Sequence, residues 1–246
     1  MNDRIYIHEF IDIRGRGRAK YMQHMTANWS PIAQEERAQK CFGTFGTVGS
    51  TGRWPEVVNI WEERGWVGLA RNLKHETQHP GMQDPSLREW WATAAEFRSG
   101  GVDRILVPAE WSPTSDELTR DEVRGEFYTH ELVRVEAGGA EAFLEEVRSR
   151  AIPAHSEFGA RLVGAFHTAM SDRSECLLLW AIPDHQQWAE LEMAEYGDGS
   201  LASWRSWCRS HTRSWQRLLL VEAPTSTLRL GRQPSISDRR PLSEIP

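Results

Sequence analysis

Apolar and polar residues alternate with period two along Ile5-Tyr6-Ile7-His8-Glu9-Phe10-Ile11-Asp12-Ile13, the pattern of a half-buried strand. The same alternation returns 122 positions later in Phe127-Tyr128-Thr129-His130-Glu131-Leu132-Val133-Arg134-Val135, with Tyr, His and Glu kept. After each strand come glycines (Gly15 and Gly17; Gly138 and Gly139) and then apolar residues at helical spacing. Tyr21, Met22, Met25 and Trp29 form that stripe in the first copy, and Ala140, Phe143, Leu144, Val147 and Ala151 in the second. Pro31 and Pro153 fall at matched places late in these helices, where proline is expected to kink or end them.

The next runs, Phe42 to Thr47 and Val57 to Trp61, answer Val163 to Thr168 and Cys176 to Trp180, and short turns join them as hairpins. A helical region follows in each copy. It is marked by Trp90, Trp91, Ala94 and Phe97 in one and by Trp204, Trp207, Cys208, His211 and Trp215 in the other. The closing strands are Arg104 to Val107 and Leu218 to Val221. Each half therefore reads βαββαβ, a ferredoxin-like unit. The expected division is 1–112 for the first unit, 113–125 for a linker, 126–228 for the second unit and 229–246 for a flexible tail.

Composition narrows the class. Of 246 residues, 39% are hydrophobic and 26% charged, enough for a packed core, and the net charge of −6 gives no support to nucleic-acid binding. The start MNDRIYIHEF has no long apolar segment, so neither secretion nor a membrane partner is expected and the cytoplasm is the default location. Cys41, Cys176 and Cys208 lack CxxC spacing and read as reduced, inert packing. Most of the twelve tryptophans sit at core spacing.

These residues resemble a known family. The Ile5-Tyr6-Ile7-His8-Glu9-Phe10 strand, the proline-marked helix, Val57-Val58-Asn59-Ile60-Trp61-Glu62 and Leu69-Ala70-Arg71 are similar to the NIPSNAP-like branch of the dimeric α+β barrel superfamily, in tandem from about residue 4 to 223. The resemblance implies an α+β fold in which two ferredoxin-like units form a barrel-like arrangement within one chain. It also implies a lumen or groove for a haem, a polyketide-like aromatic or another small hydrophobe, and cofactor-independent monooxygenase or isomerase activity in some members.

On a strand, Tyr6, His8 and Phe10 share one face while Ile7, Glu9 and Ile11 share the other. If the Tyr/His face lines the pocket, His8 and His130 are candidates for general base and Tyr6 and Tyr128 for hydrogen bonding. Glu9 and Glu131 then read as paired scaffold carboxylates, and with the faces reversed they become the pocket acids. His167 stands where the first copy has Gly46, so it marks specialisation and is a third catalytic candidate. Trp61 and Trp180 end matched strands as candidate walls. Arg16 and Arg18, in the basic loop Arg14 to Lys20, are candidates for an anionic group on a ligand.

His75-Glu76-Thr77-Gln78-His79 matches the HExxH zinc pattern, but Pro80 follows at once and no third ligand is evident. No cofactor is expected, with haem as an alternative. The leading expectation is a protein that binds a small hydrophobic or aromatic molecule and converts it by metal-independent acid/base chemistry of a monooxygenase, isomerase or cyclase kind. A non-catalytic assembly or ligand-binding protein is the alternative. A homodimer is compatible with either.

Overall fold

The computed structural model describes all residues, 1–246. The first repeat runs β1 (Ile5–Ile13), α1 (Arg18–Gln23), α2 (Ser30–Arg37), β2 (Lys40–Thr47), β3 (Glu56–Glu63), α3 (Gly65–Thr77), α4 (Arg88–Phe97) and β4 (Arg98–Pro108). A connecting helix, α5 (Ser115–Arg120), precedes the second repeat. That repeat is β5 (Phe127–Arg134), α6 (Ala140–Glu146), α7 (Ile152–Ser156), β6 (Arg161–Thr168), β7 (Glu175–Ile182), α8 (His185–Ala194), α9 (Ser200–His211) and β8 (Ser214–Glu222), with α10 (Thr227–Leu230) after it.

The chain divides into two compact units that do not follow the repeats to their ends. The first unit is residues 3–104 with 222–246, and the second is 1–2 with 105–221. The expected linker is ordered: Thr114 and Glu117 form a reciprocal capping box that starts α5. The expected flexible tail is likewise tied to the first unit. Gln23 donates to the Asp238 carbonyl at 2.9 Å, Gln34 to that of Pro234 at 2.8 Å, and Arg239 to those of Ala27 and Asn28 at 3.2 and 3.3 Å. Composition suggested mobility for this segment, yet backbone carbonyls spaced along it meet amide and guanidinium donors of the first unit.

In the first unit β1 pairs antiparallel with β3, setting His8 opposite Ile60 and Glu9 opposite Asn59, and β3 pairs with β2. In the second, β5 lies between β7 and β8, β7 pairs with β6, and β6 with the Leu106–Pro108 end of β4. Both units carry a bulge at the same place, before Gly43 and before Gly164. A side chain at either glycine would collide with the ring two residues on, Phe45 or Phe166.

Neither proline ends its helix. In each repeat the helix widens into a π turn just before or across the proline, His24–Trp29 ahead of Pro31 and Val147–Ala151 ahead of Pro153, and then continues. Proline lacks an N–H and its ring crowds the carbonyl four residues back; a π turn loosens the ladder there and lets the helix pass through. The helices cover one face of each sheet. In the first unit Ile11, Ile13, Val57 and Trp61 pack against Tyr21, Met25, Trp29 and Leu87; in the second Val133, Leu178 and Trp180 pack against Phe143, Leu144, Val147 and Trp204. No helix is long and apolar enough to cross a membrane.

Candidate functional site

Strand parity places Glu9, with Ile7 and Ile11, on the helix-covered face of β1, and Tyr6 and His8 on the opposite face. Glu9 is held from both sides. Its Oε2 accepts from Asn59 Nδ2 at 3.0 Å and from Trp61 Nε1 at 2.9 Å, both on β3, and Asn59 Nδ2 also reaches the Tyr21 hydroxyl at 3.0 Å. The carboxyl is densely surrounded, Asn59 beside it is fully buried, and the Glu9 residue as a whole is partly exposed.

The electrostatics favour the protonated acid. Burial pushes the Glu9 carboxyl up, the like charge of Asp103 pushes it further, and the two hydrogen bonds and Arg98 oppose them. Asp103 is also raised by burial, against the pull of Arg98. The Tyr21 phenol is raised by burial and by Glu9, and so keeps its proton, although Arg98 and Asn59 hydrogen-bond it. His24, one helical turn beyond Tyr21, stacks on Trp90 at 4.7 Å; burial lowers its basicity and keeps the imidazole neutral. A carboxyl of raised proton affinity near a phenol and a guanidinium can deliver a proton, or accept one once ionised, while its neighbours stabilise negative charge.

The matched position in the second unit is built differently. Glu131 is 2% exposed and accepts from Trp215 Nε1 at 3.1 Å. Burial raises its carboxyl, but Arg217 and Arg205 now oppose. Both arginines are shared with Glu192 and Glu195, Arg217 gripping Glu192 with two bonds of 2.8 and 2.9 Å. His155, stacked on Trp180 at 4.0 Å, donates from Nδ1 to the Ala151 carbonyl at 2.8 Å, and burial pulls its basicity down to about 3. This is a sealed ion network with a permanently neutral imidazole.

The sequence-chosen residues scatter. His8 and His130 are completely buried on the strand face away from the helices, with His8 edge-on to Phe10 at 4.7 Å. Tyr6 donates to Glu62 at 3.2 Å, and the Tyr128 hydroxyl accepts from the Gly125 amide at 3.2 Å. Trp61 belongs to the Glu9 cluster and Trp180 to the His155 stack. Arg18 donates to the Thr47 carbonyl at 2.9 Å, and Arg16 is exposed. His167 is half-buried in a cavity of about 790 Å³ in the second unit, walled by Glu110, Trp111, Glu141, Glu145 and Arg148; burial lowers its basicity against the pull of Glu141.

The residues missed are Tyr21, His24, Asn59, Arg98 and Asp103. A signal for three of them lay in the repeat itself, because Phe143, Leu178 and Arg217 occupy the corresponding positions for Tyr21, Asn59 and Asp103.

The HExxH match breaks at the end of α3, which stops at Thr77, and Glu76 is committed to Arg37 and to the Asp84 amide. The cysteines are buried, with Cys41 and Cys176 pushed up to about 11 and about 12 as thiols. His24 and His155 lie face-on to tryptophans, each with one ring nitrogen against a backbone carbonyl.

No family model and no curated relative matches the chain. Among solved structures, an anthrone oxidase-like protein superposes with a TM-score of 0.58 at 12% identity, over 90% of this chain and 92% of its own. A monooxygenase-like protein from Lactobacillus acidophilus NCFM gives 0.57 at 10% identity, over 90% and 95%. A NIPSNAP-like domain protein from Burkholderia xenovorans matches 46% of this chain and 92% of its own at 22% identity, with a TM-score of 0.36. The first two carry the likeness, which is one of fold: α+β, of the dimeric α+β barrel type, with two ferredoxin-like units in one chain.

Proposed function

We propose that the first unit binds a small, partly aromatic molecule against the helix-covered face of β1 and that Glu9 exchanges a proton with it without a metal or organic cofactor. The observation that carries this reading is the Glu9 cluster: a buried carboxyl, its proton affinity raised by burial and Asp103, tied to Asn59 and Trp61 and adjoining the Tyr21–Arg98 pair. An ionised Glu9 would take a proton from an acidic C–H or O–H. The oxyanion so formed would be stabilised by the Tyr21 hydroxyl and the Arg98 guanidinium. The monooxygenase-like neighbours support chemistry on small molecules of this kind.

In this reading His8 and His130 are core residues, and Trp61 positions the acid. Solvent deuterium exchange into 2-tetralone and related aryl ketones tests it. Wild type should accelerate exchange and Glu9→Gln should remove the acceleration, whereas equal rates for the two would refute the role of Glu9.

A further inference from the structure

We infer that the cavity of about 790 Å³ beside His167 is a second ligand site, which takes an organic ammonium ion with an apolar body, His167 accepting from its N–H groups and Trp111 covering its body. Its walls belong entirely to the second unit, and its size falls within the range of about 300–1,000 Å³ usual for small-molecule sites. The repeat shows why the space is open. In the first copy the matching position, Gly46, is covered from α1: a side chain there would meet Arg18 Cδ at 3.3 Å and Met22 Sδ at 3.5 Å, and Arg18 is tied to the Thr47 carbonyl at 2.9 Å. The second copy has Ala140 in place of Arg18 and His167 in place of Gly46. The long cationic chain is gone, and an imidazole lines the cavity instead.

The groups around that space define the ligand. The His167 ring is half-buried and makes no hydrogen bond, and an imidazole that burial keeps neutral offers a lone pair to an N–H donor. Trp111 is also half-buried and packs against the core, its indole N–H donating to Glu145 at 3.0 Å, while its ring meets no other aromatic ring and no cation. Charge sets the sign of the ligand. Glu110, Glu141 and Glu145 share the walls with Arg148 alone. Arg173, from outside the cavity, pairs with Glu141 at 3.1 Å, and Arg148 comes within only 4.0 Å of Glu145, whereas Glu110 is in no ion pair. Carboxylate charge beside an indole face suits a cation. No three carboxylate or imidazole groups stand close enough together to hold a metal ion, so the cation that fits is an organic one.

Calorimetric titration of the full chain with 2-naphthylmethylamine, a cation at neutral pH, and with its neutral counterpart 2-naphthylmethanol tests the inference. The amine should bind wild type at least about tenfold more tightly than the alcohol. His167→Gly, which installs the residue of the first copy, should remove most of that preference, with circular dichroism to establish that the variant is folded. Should it not fold, Glu110→Gln on the exposed rim takes its place and should lower the preference severalfold. The indole N–H resonance of Trp111, identified by its loss in Trp111→Phe, should move as the amine binds. Equal affinity for the two probes, binding of neither, a preference unchanged in the folded variant, or a Trp111 resonance that stays still while the amine binds would each overturn the site. All of these readouts are independent of Glu9, so the proton-exchange reading of the first unit would stand.

Discussion

Glu9 and Glu131 descend from the same position of a repeated unit and each accepts a hydrogen bond from an indole, yet one sits beside Asp103 and the other beside Arg217. Burial raises both carboxyls; Asp103 adds to the rise at Glu9, while Arg217 and Arg205 oppose it more strongly at Glu131. In the second unit Arg205 and Arg217 pair with Glu192 and Glu195 around a 2%-exposed glutamate. In the first unit the matched glutamate instead accepts from Asn59 and Trp61 and lies near the Tyr21–Arg98 pair. The two copies thus surround the same strand position with different partners.

The largest effect that could break this comparison is on turnover. Glu9→Gln should lower aryl-ketone exchange by about 10²–10⁴-fold, the usual worth of a positioned acid or base, and Glu131→Gln should leave it within a few-fold. Comparable losses in both would erase the distinction.

Stability should respond in the opposite order. Arg205→Met removes a buried guanidinium from a network in which Glu192 and Glu195 keep Arg217, and should cost about 1.5–3 kcal/mol in urea unfolding. Arg98→Met removes a half-buried cation that stacks on Trp91 and bonds Tyr21 outside any close ion pair, and should cost less, about 1 kcal/mol.

The pH dependence sharpens the point. Folding raises the proton affinity of Glu9, so its contribution is most favourable below the ordinary value of 4.5 and is lost as pH rises through its folded value. Glu9→Gln has no such loss. Its stability relative to wild type should therefore climb from pH 4 to pH 8, and a flat difference would show that Glu9 titrates normally. The smallest effect concerns the indole bonds: Trp61→Phe and Trp215→Phe should each cost about 1 kcal/mol beyond packing, but only Trp61→Phe should change exchange kinetics.

Much of the architecture was legible. The period-two strands, the matched prolines and the paired hairpins gave two βαββαβ units in the right order, because hydrophobic periodicity reports directly on which residues face a core. The alternation also separated His8 from Glu9, but it could not say which face the helices cover. That depends on packing partners on other elements, such as Tyr21, Trp29 and Leu87. Arg98 and Asp103 were hidden because the sequence pattern starts the closing strand only at Arg104, past Arg98-Ser99-Gly100-Gly101. That stretch is in fact the start of β4, and a side chain at Gly101 would collide with the Phe10 carbonyl of β1. The ordered C-terminal segment was missed for a similar reason, its bonds running to residues some 200 positions earlier.

The most direct test is an NMR titration of the Glu9 side-chain carboxyl in wild type and in Asp103→Asn. The account predicts a midpoint above the ordinary glutamate value of 4.5 in wild type, and a shift downward once the like charge of Asp103 is removed. A wild-type midpoint at or below 4.5, or one indifferent to Asp103→Asn, would contradict it.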